Sequence, residues 1–522
     1  MGREPGKDAI AVRLVALGGR RWVRLLAAAL SGALLALTLP PVDLLPAVAG
    51  YSVLVGVLVA SETARRPWLD RAMVGAVFGF STHLGGLWWV GVAFTVDAQT
   101  FGPLLPLGVV GLPLLLVPFH ALAAVLAGFA PARIVPTALA LALALGVTEG
   151  LRGLLFTGFP WNVAGYHLTP SGLLSQSAAL VGVNGLAVPA VLIGALPAVL
   201  LARGGRTCAI AIVGLAVAMV AFGAVWRASA PAPPGDAPVV RIVQPSIPQR
   251  DKWRPELRQA IYARLLGLTA QGPDYDIVVW PETSIPFLYT SPSLQSQELA
   301  AALKPGATLF AGAVMVEGDG EGRRAYNTIL MIDHNGDVVE RYDKVRLVPF
   351  GEYLPLSDVL SRLGLTALVE GASDFRAGAA ATTLTVPGLP PAQPMICYEV
   401  IFPHFTAGEA AWIVNVTNDA WFGNTPGPRQ HLRHAALRAI ERGVPVVRAA
   451  NTGISAMIDA NGRIVERLSL NTVGYLDSPL PASRATLYGL WGDGPMLIIA
   501  IGGLAFLWRR RIRESRSGPH NR

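Results

Sequence analysis

Apolar and polar positions divide this chain into two regimes. Near-continuous apolar runs occupy residues 24–40, 44–61, 72–95, 104–127, 133–151, 175–202, 208–226 and 489–508. A helix of about 20 apolar residues matches the hydrocarbon thickness of a bilayer, so these runs predict about eight transmembrane helices. Between residues 227 and 488 the pattern changes. Short apolar segments bounded by turn residues read as strands at 239–243, 277–280, 308–316, 328–332, 383–386, 394–396, 412–416 and 444–449. Helical spacing is clearest over 255–268 and 429–442. Asn335-Gly336 and Asn461-Gly462 each sit between alternating apolar runs and predict hairpins, because Asn and Gly accept the positive φ of a tight turn.

The expected organisation is therefore a polytopic α-helical membrane domain over 1–226 with about seven spans, an α/β domain over 227–488, and a final span with a basic tail over 489–522. A Pro/Ala linker at 230–238 opens the middle part, which at about 250 residues is long enough to bury its own core. Charge agrees with this division. Only 15% of residues are charged, against roughly 25% in an ordinary soluble domain. The region 227–488 holds 23 basic and 25 acidic residues of the 42 and 34 in the chain, so the net charge of +8 comes from the apolar flanks.

There Lys and Arg cluster at Arg3 to Arg24, Arg65 to Arg71, Arg133, Arg203 to Arg206 and Arg509 to Arg516, while the short connections 41–45 and 94–102 carry none. Basic residues collect in cytoplasmic loops. Eight spans then place both termini in the cytoplasm and 227–488 on the outer side, with Arg152 the one basic residue on the wrong face. A cleaved leader at the first run fits poorly, since Pro40-Pro41 leads straight into another apolar run. The positive excess follows membrane topology, and no basic patch with interleaved aromatics points to nucleic acid.

Two cysteines, Cys208 in an apolar run and Cys397 in the middle part, exclude a disulfide framework and a Cys-rich metal site. Cys397 closes the apolar segment 394–396 and would emerge at a strand's carboxyl end, where α/β sheets place their sites; the plain alternative is a buried structural cysteine. Glu282 likewise ends an apolar strand, through Pro281, which stops the ladder. Lys344 lies at the exit of the first Asn-Gly hairpin, where a solvated charge is the alternative. Together the three carry more weight. A thiol of pKa about 8.5 needs a base, a cation or both to act as a nucleophile. A carboxylate can take the proton and return it to a leaving group, and an ammonium stabilises a thiolate and an oxyanion.

Trp280-Pro281-Glu282, Tyr342-Asp343-Lys344 and Cys397-Tyr398-Glu399, with their catalytic members 62 and 53 residues apart, resemble the three motifs of the nitrilase, or carbon-nitrogen hydrolase, superfamily. The resemblance implies an αββα sandwich with Glu282 as general base, Lys344 as oxyanion stabiliser and Cys397 as nucleophile. Most members of that superfamily are soluble. A nitrilase-like domain between apolar runs is similar to the apolipoprotein N-acyltransferase family, as are the stretches 348–355, 417–423 and Phe159-Pro160-Trp161-Asn162. That resemblance implies an inner-membrane enzyme with its catalytic domain on the periplasmic side. It would move an acyl chain from a phospholipid, typically phosphatidylethanolamine, through a Cys397 thioester to the α-amine of a diacylglyceryl-modified apolipoprotein. No cofactor is implied.

Around the trio, Glu352 and Glu399 are expected to support Lys344 and the active-site loops, with simple ion pairing as the alternative. The Tyr398 N–H, following the nucleophile, is an expected oxyanion donor. Trp253, Asn327 and Trp421 are candidate substrate contacts, or core. The stretch 345–368, with Leu347, Phe350, Leu354, Leu356, Val359, Leu360, Leu363 and Leu365, is too apolar for an ordinary surface loop and reads as a lid, or as packing on the domain. His431 and His434 have helical H-x-x-H spacing but no third ligand nearby, and the arginines around them predict a solvated helix face rather than a metal site. Glu149 and Arg152, three apart, predict an ion pair. Gly318-Asp319-Gly320 and Gly371 lack any nucleotide-binding context. The rival functions are a membrane-tethered amidase acting on a small amide and a catalytically dead binding or scaffold domain.

Overall fold

The computed structural model describes residues 20–320, 323–355 and 375–516. Two compact units emerge. One comprises the described residues of Met1–Trp88, Pro106–Ala228 and Leu490–Arg522, and the other comprises Trp89–Leu105 and Ser229–Gly489.

The first unit is all helix. Among the described residues of the chain five helices are long and apolar enough to cross a membrane, Leu45–Thr63, Pro67–Thr95, Ala98–Ala127, Ile134–Arg152 and Gly205–Ala228; residues 89–105 of the second and third belong to the second unit. A sixth span results if Leu174–Gly185 and Ala187–Gly194 count as one, but the two are bent by 105°. The run at 175–202 is thus a broken element rather than the straight span its composition predicts, and within its first helix Gly182 is itself non-helical, at φ 66 and ψ 175. Of the remaining expected spans, Arg21–Ala36 has only 16 residues, and Gly494–Arg516 carries the terminal arginine cluster in its last turns. Length and composition among the described residues therefore support five or six spans, short of the expected eight.

Small residues let the helices close on one another. A Cβ on Gly32 would lie 2.4 Å from the Phe78 carbonyl oxygen, and one on Gly75 would lie 2.5 Å from Ala124 Cβ. Charged contacts are buried in this unit too. Arg24 holds Asp70 through two bonds of 2.7 and 2.8 Å, and Arg152 lies 3.6 Å from Glu149, as their spacing predicts.

The second unit is a sandwich of two sheets. Its strands are β1 Val239–Gln244, β2 Ile277–Trp280, β3 Thr308–Glu317, β4 Arg324–Ile332, β5 Val338–Asp343, β6 Ala392–Ile396, β7 Trp412–Thr417, β8 Val446–Ala450, β9 Ser455–Ile458, β10 Ile464–Leu468 and β11 Gly474–Pro479. One sheet has the order β11-β1-β2-β3-β4-β5 and the other β10-β9-β8-β7-β6. In the first, parallel β1, β2 and β3 are flanked on both sides by antiparallel strands; in the second, parallel β6, β7 and β8 run to the edge at β6, and antiparallel β9 and β10 continue beyond β8. Both Asn-Gly hairpins form, joining β4 to β5 and β9 to β10. The expected strand at 383–386 does not: its one pairing is a bridge between Leu384 and Ala392.

Apolar faces explain the layering. Helix Arg258–Ala270 lays Tyr262, Leu265 and Leu268 over Trp280 and Leu309 of the first sheet, with the Tyr262 and Trp280 rings edge to face at 6.2 Å. Between the sheets, Phe310 of β3 meets Trp412 of β7 edge-on at 5.5 Å. Helix Pro426–Arg442 packs on the second sheet through its buried face. The order is helix, sheet, sheet, helix. At the sandwich edge, Arg241 of β1 grips Asp477 of β11 at 2.7 and 2.6 Å, between the rings of Tyr275 and Tyr475 at 4.4 and 4.1 Å. Segment Trp89–Leu105 joins this unit because Trp89 donates to Gln430 at 3.3 Å and meets the Phe422 ring at 4.7 Å. Gly427 leaves room for that indole, since a Cβ there would come within 2.7 Å of it.

Candidate active site

Three strand ends converge on one buried spot. Glu282 follows β2, Lys344 follows β5 and Cys397 follows β6, so the carboxylate and the ammonium hang from one sheet and the thiol from the other. Two of these turns contain a non-glycine residue in the left-handed region: Thr283 at φ 45 and Cys397 itself at φ 49. Such a conformation costs on the order of 1–3 kcal/mol and persists only where the surroundings enforce it. At Cys397 it breaks the strand direction and starts the short turn Cys397–Ile401.

The Lys344 ammonium, 1% exposed, donates to Glu282 Oε1 at 3.2 Å and to Glu352 Oε1 at 2.8 Å. The Asn327 amide donates to the same two oxygens, each at 2.8 Å, and Glu352 Oε2 accepts the Val348 N–H at 2.8 Å. Burial works against charging both partners, but opposite charge wins. Burial disfavours the Lys344 cation, yet Glu352 and Glu282 raise its pKa above the ordinary lysine value. Burial likewise works to raise the Glu282 carboxyl, but Lys344, Lys252 and the Asn327 hydrogen bond hold it below the usual carboxylate value. Burial and the Glu282 charge push the Cys397 thiol up, with Lys344 pulling the other way. The resting state is thus a thiol facing an ionised carboxylate, the arrangement that proton transfer on demand requires.

Glu399 is fully buried and ties the loops together. Its Oε1 accepts from the Tyr342 hydroxyl at 2.7 Å and from the Val345 and Arg346 N–H groups at 2.7 and 3.1 Å; its Oε2 accepts the Ile396 N–H at 2.7 Å. One carboxylate thereby fixes the exit of β5, which bears Lys344, to the end of β6, which bears Cys397. Tyr398 is buried, its ring edge-on to Phe402 at 5.1 Å.

The other expected site residues fall in different places. Asn327 binds the two carboxylates. Trp253 is 38% exposed and therefore not core, while Trp421 and Leu354 are half-buried. Leu363, with most of the expected lid, lies outside the described residues.

His431 and His434 depart from expectation. Both are buried rather than solvated, at 1% and 0% exposure, because their helix turns this face onto the second sheet. His431 Nδ1 lies 2.8 Å from Asp419 Oδ1, and its Nε2 lies 3.1 Å from the Cys397 carbonyl oxygen. Asp419 in turn holds Arg448 at 2.8 Å. A polar network thus braces the backbone of the strained Cys397 turn. Among the described residues no group of three or more His, Cys, Asp or Glu side chains is placed to hold a metal ion.

A second residue escapes the sequence reading altogether. Lys252, buried beside the site, donates from Nζ to the Glu282 carbonyl oxygen at 2.8 Å. It stands in the charged stretch Arg250-Asp251-Lys252-Trp253-Arg254, where nothing but its nearness to β1 distinguishes it from a solvated loop lysine.

This geometry meets known proteins at full length. The carbon-nitrogen hydrolase family model matches residues 239–488, and the apolipoprotein N-acyltransferase N-terminal domain matches residues 31–196. The apolipoprotein N-acyltransferase of Brucella suis is 44% identical over 96% of this chain and 99% of its own. The chain belongs to the apolipoprotein N-acyltransferase family. Further members at similar distance include those of Allorhizobium ampelinum, 43% identical over 92% of this chain and 93% of its own, and Rhodopseudomonas palustris, 40% identical over 94% and 96%. As a family member the chain joins a membrane part to a nitrilase-type catalytic part in one enzyme.

Proposed function

We propose that this enzyme transfers a fatty acyl chain from a phospholipid, typically phosphatidylethanolamine, to the α-amine of the diacylglyceryl-cysteine of apolipoproteins. In this reading it is an inner-membrane protein with residues 1–226 and 489–522 as its membrane parts, both termini in the cytoplasm, and the catalytic domain 227–488 on the periplasmic side. The observation that carries the reading is the ionised Glu282–Lys344 pair, 3.2 Å apart and buried, electrostatically coupled to the Cys397 thiol in a chain related over its whole length to this family.

The steps follow from the charges. Glu282 takes the proton of Cys397 as its sulfur attacks the ester carbonyl of the phospholipid. Lys344 and the Tyr398 N–H stabilise the tetrahedral oxyanion. The C–O bond breaks, the lysophospholipid oxygen takes the proton from Glu282, and a Cys397 thioester remains. The apolipoprotein amine then attacks that thioester and gives a proton to Glu282. Collapse forms the amide, and the proton returns to the departing sulfur. Glu352 and Asn327 hold Lys344 and Glu282 in register, and Glu399 holds the loops. Trp253, Trp421, Leu354 and Leu363 are proposed as contacts for the lipid substrates, which must exclude water for the amine to win over hydrolysis.

The test uses purified full-length protein and a phospholipid with a tagged acyl chain. A hydroxylamine-labile adduct on the wild type, absent from Cys397→Ala and passed on to a diacylglyceryl-cysteine peptide, is expected. An adduct that survives in Cys397→Ala overturns the assignment. Turnover of a small amide by a protein that takes no label from lipid would establish the amidase instead.

A further inference from the structure

Glu282 and Glu352 both bear on Lys344, at 3.2 and 2.8 Å. With Lys344 as the only cation, this trio would carry a net negative charge before any proton left the thiol, and a thiolate would add a second. Like charges crowded in a low-dielectric site oppose each other strongly. A buried cation elsewhere in the site would resolve the imbalance.

Lys252 is placed to be that cation. It is 4% exposed, and its Nζ donates to the backbone carbonyl of Glu282 itself at 2.8 Å. Its electrostatic neighbours are Glu282 and Cys397. The other charged groups facing these two are Lys344 and Glu352 from beyond β5, and Asp419 from beyond β7. Glu352 and Asp419 add negative charge there, while Asp419 is itself held by Arg448. The turn carrying Glu282 includes Thr283 in the left-handed region, and the Lys252 bond fixes the peptide immediately before it.

We propose that Lys252 is a positioning residue of this site, which fixes the turn bearing Glu282 and supplies the second positive charge that stabilises negative charge on the Cys397 sulfur. The inference rests on the reading of Cys397 as the nucleophile. An uncompensated lysine in this environment would be neutral; burial pulls Lys252 down to about 8, with Glu282 and Cys397 opposing the fall. It therefore retains its proton near neutrality because the site is otherwise negative.

Alkylation of Cys397 by iodoacetamide, followed by mass mapping of the peptide that carries it, reads the thiolate with no acyl donor present. Two variants separate the two roles. Lys252→Gln keeps a donor for the Glu282 carbonyl without the charge, and Lys252→Met removes both. Both are expected to alkylate about tenfold more slowly at pH 8, with the half-maximal pH raised by about one unit, while retaining a cooperative melting transition. Lys252→Arg, which keeps the charge, is expected to stay within about threefold of wild type, a rate change of well under one pK unit. If Lys252→Gln alkylates as the wild type does over the whole pH range, Lys252 is a structural hydrogen-bond donor and the proposal fails. That result would leave phospholipid labelling of Cys397 unaffected. A wild type that takes no lipid label would instead refute the acyltransferase reading, with the alkylation comparison still deciding the role of Lys252.

Discussion

Lys344 sits closer to Glu352, at 2.8 Å, than to the proposed base Glu282, at 3.2 Å. On the proposed mechanism Glu352 holds the cation while Glu282 takes the proton. Glu352→Gln should separate two measurements that a merely structural residue would move together. Removing a negative charge leaves the site more positive, so Cys397 alkylation is expected to proceed at least as fast as in the wild type. Acyl-enzyme formation from tagged phospholipid is expected to fall by about tenfold or more, because Lys344 then pairs with Glu282 alone. Equal loss in both assays would contradict this account.

Gly312 of β3 lies beneath the Glu282 turn. Its carbonyl accepts the Ser284 N–H at 2.7 Å, and a Cβ there would lie 2.2 Å from the Pro281 oxygen and 2.5 Å from Glu282 Cα. Both are backbone atoms that cannot swing aside. Gly312→Ala is expected to cost about 1–3 kcal/mol through overpacking and to lower acylation, since relief requires the base to move. Thermal unfolding and lipid labelling check the two effects, and wild-type behaviour in both would show that the turn yields freely.

The pH dependence of stability should carry the signature of Lys252. Its folded pKa of about 8 lies below the ordinary 10.5, so between these values the unfolded chain binds a proton that the folded chain lacks. Stability from this group therefore rises as pH climbs from 8 to 10.5, and is lowest below 8, where the buried charge is present in full. The shift corresponds to about 3 kcal/mol. The stability of Lys252→Met relative to wild type should accordingly be higher at pH 7 than at pH 10. Melting curves of the two proteins at both pH values decide the sign. A methionine variant less stable at pH 7 than at pH 10, each relative to wild type, would reverse it.

The strand ends that meet at the candidate site were legible because each interrupts an apolar run abruptly, as in Ile277-Val278-Val279-Trp280 before Pro281-Glu282. Pairings local in sequence were legible too, since the Asn-Gly turns specify both hairpins. Longer-range features were not. β11, Gly474–Pro479, mixes Gly, Asp and Pro, and becomes a strand by pairing with β1, Gly474 opposite Gln244 and Asp477 opposite Arg241. The arginines beside His431 and His434 gave their helix a solvated look, yet Arg438 is itself buried, as are both histidines. Lys252 shows the same limit from the other side. A lysine among charges carries no mark of burial until the fold closes over it. In the membrane part, composition records apolarity but not direction, and so it missed the 105° bend between Leu174–Gly185 and Ala187–Gly194.

The division of the trio between two sheets has a bearing on biosynthesis. Glu282 and Lys344 belong to the sheet that β1 to β5 begin and only β11 completes, whereas Cys397 arrives some 50 residues after Lys344 on the first strand of the other sheet. Until the two sheets meet, the sulfur stands apart from the proposed base Glu282 and from Lys344. On the proposed mechanism, acyl transfer is therefore confined to molecules in which both sheets have come together.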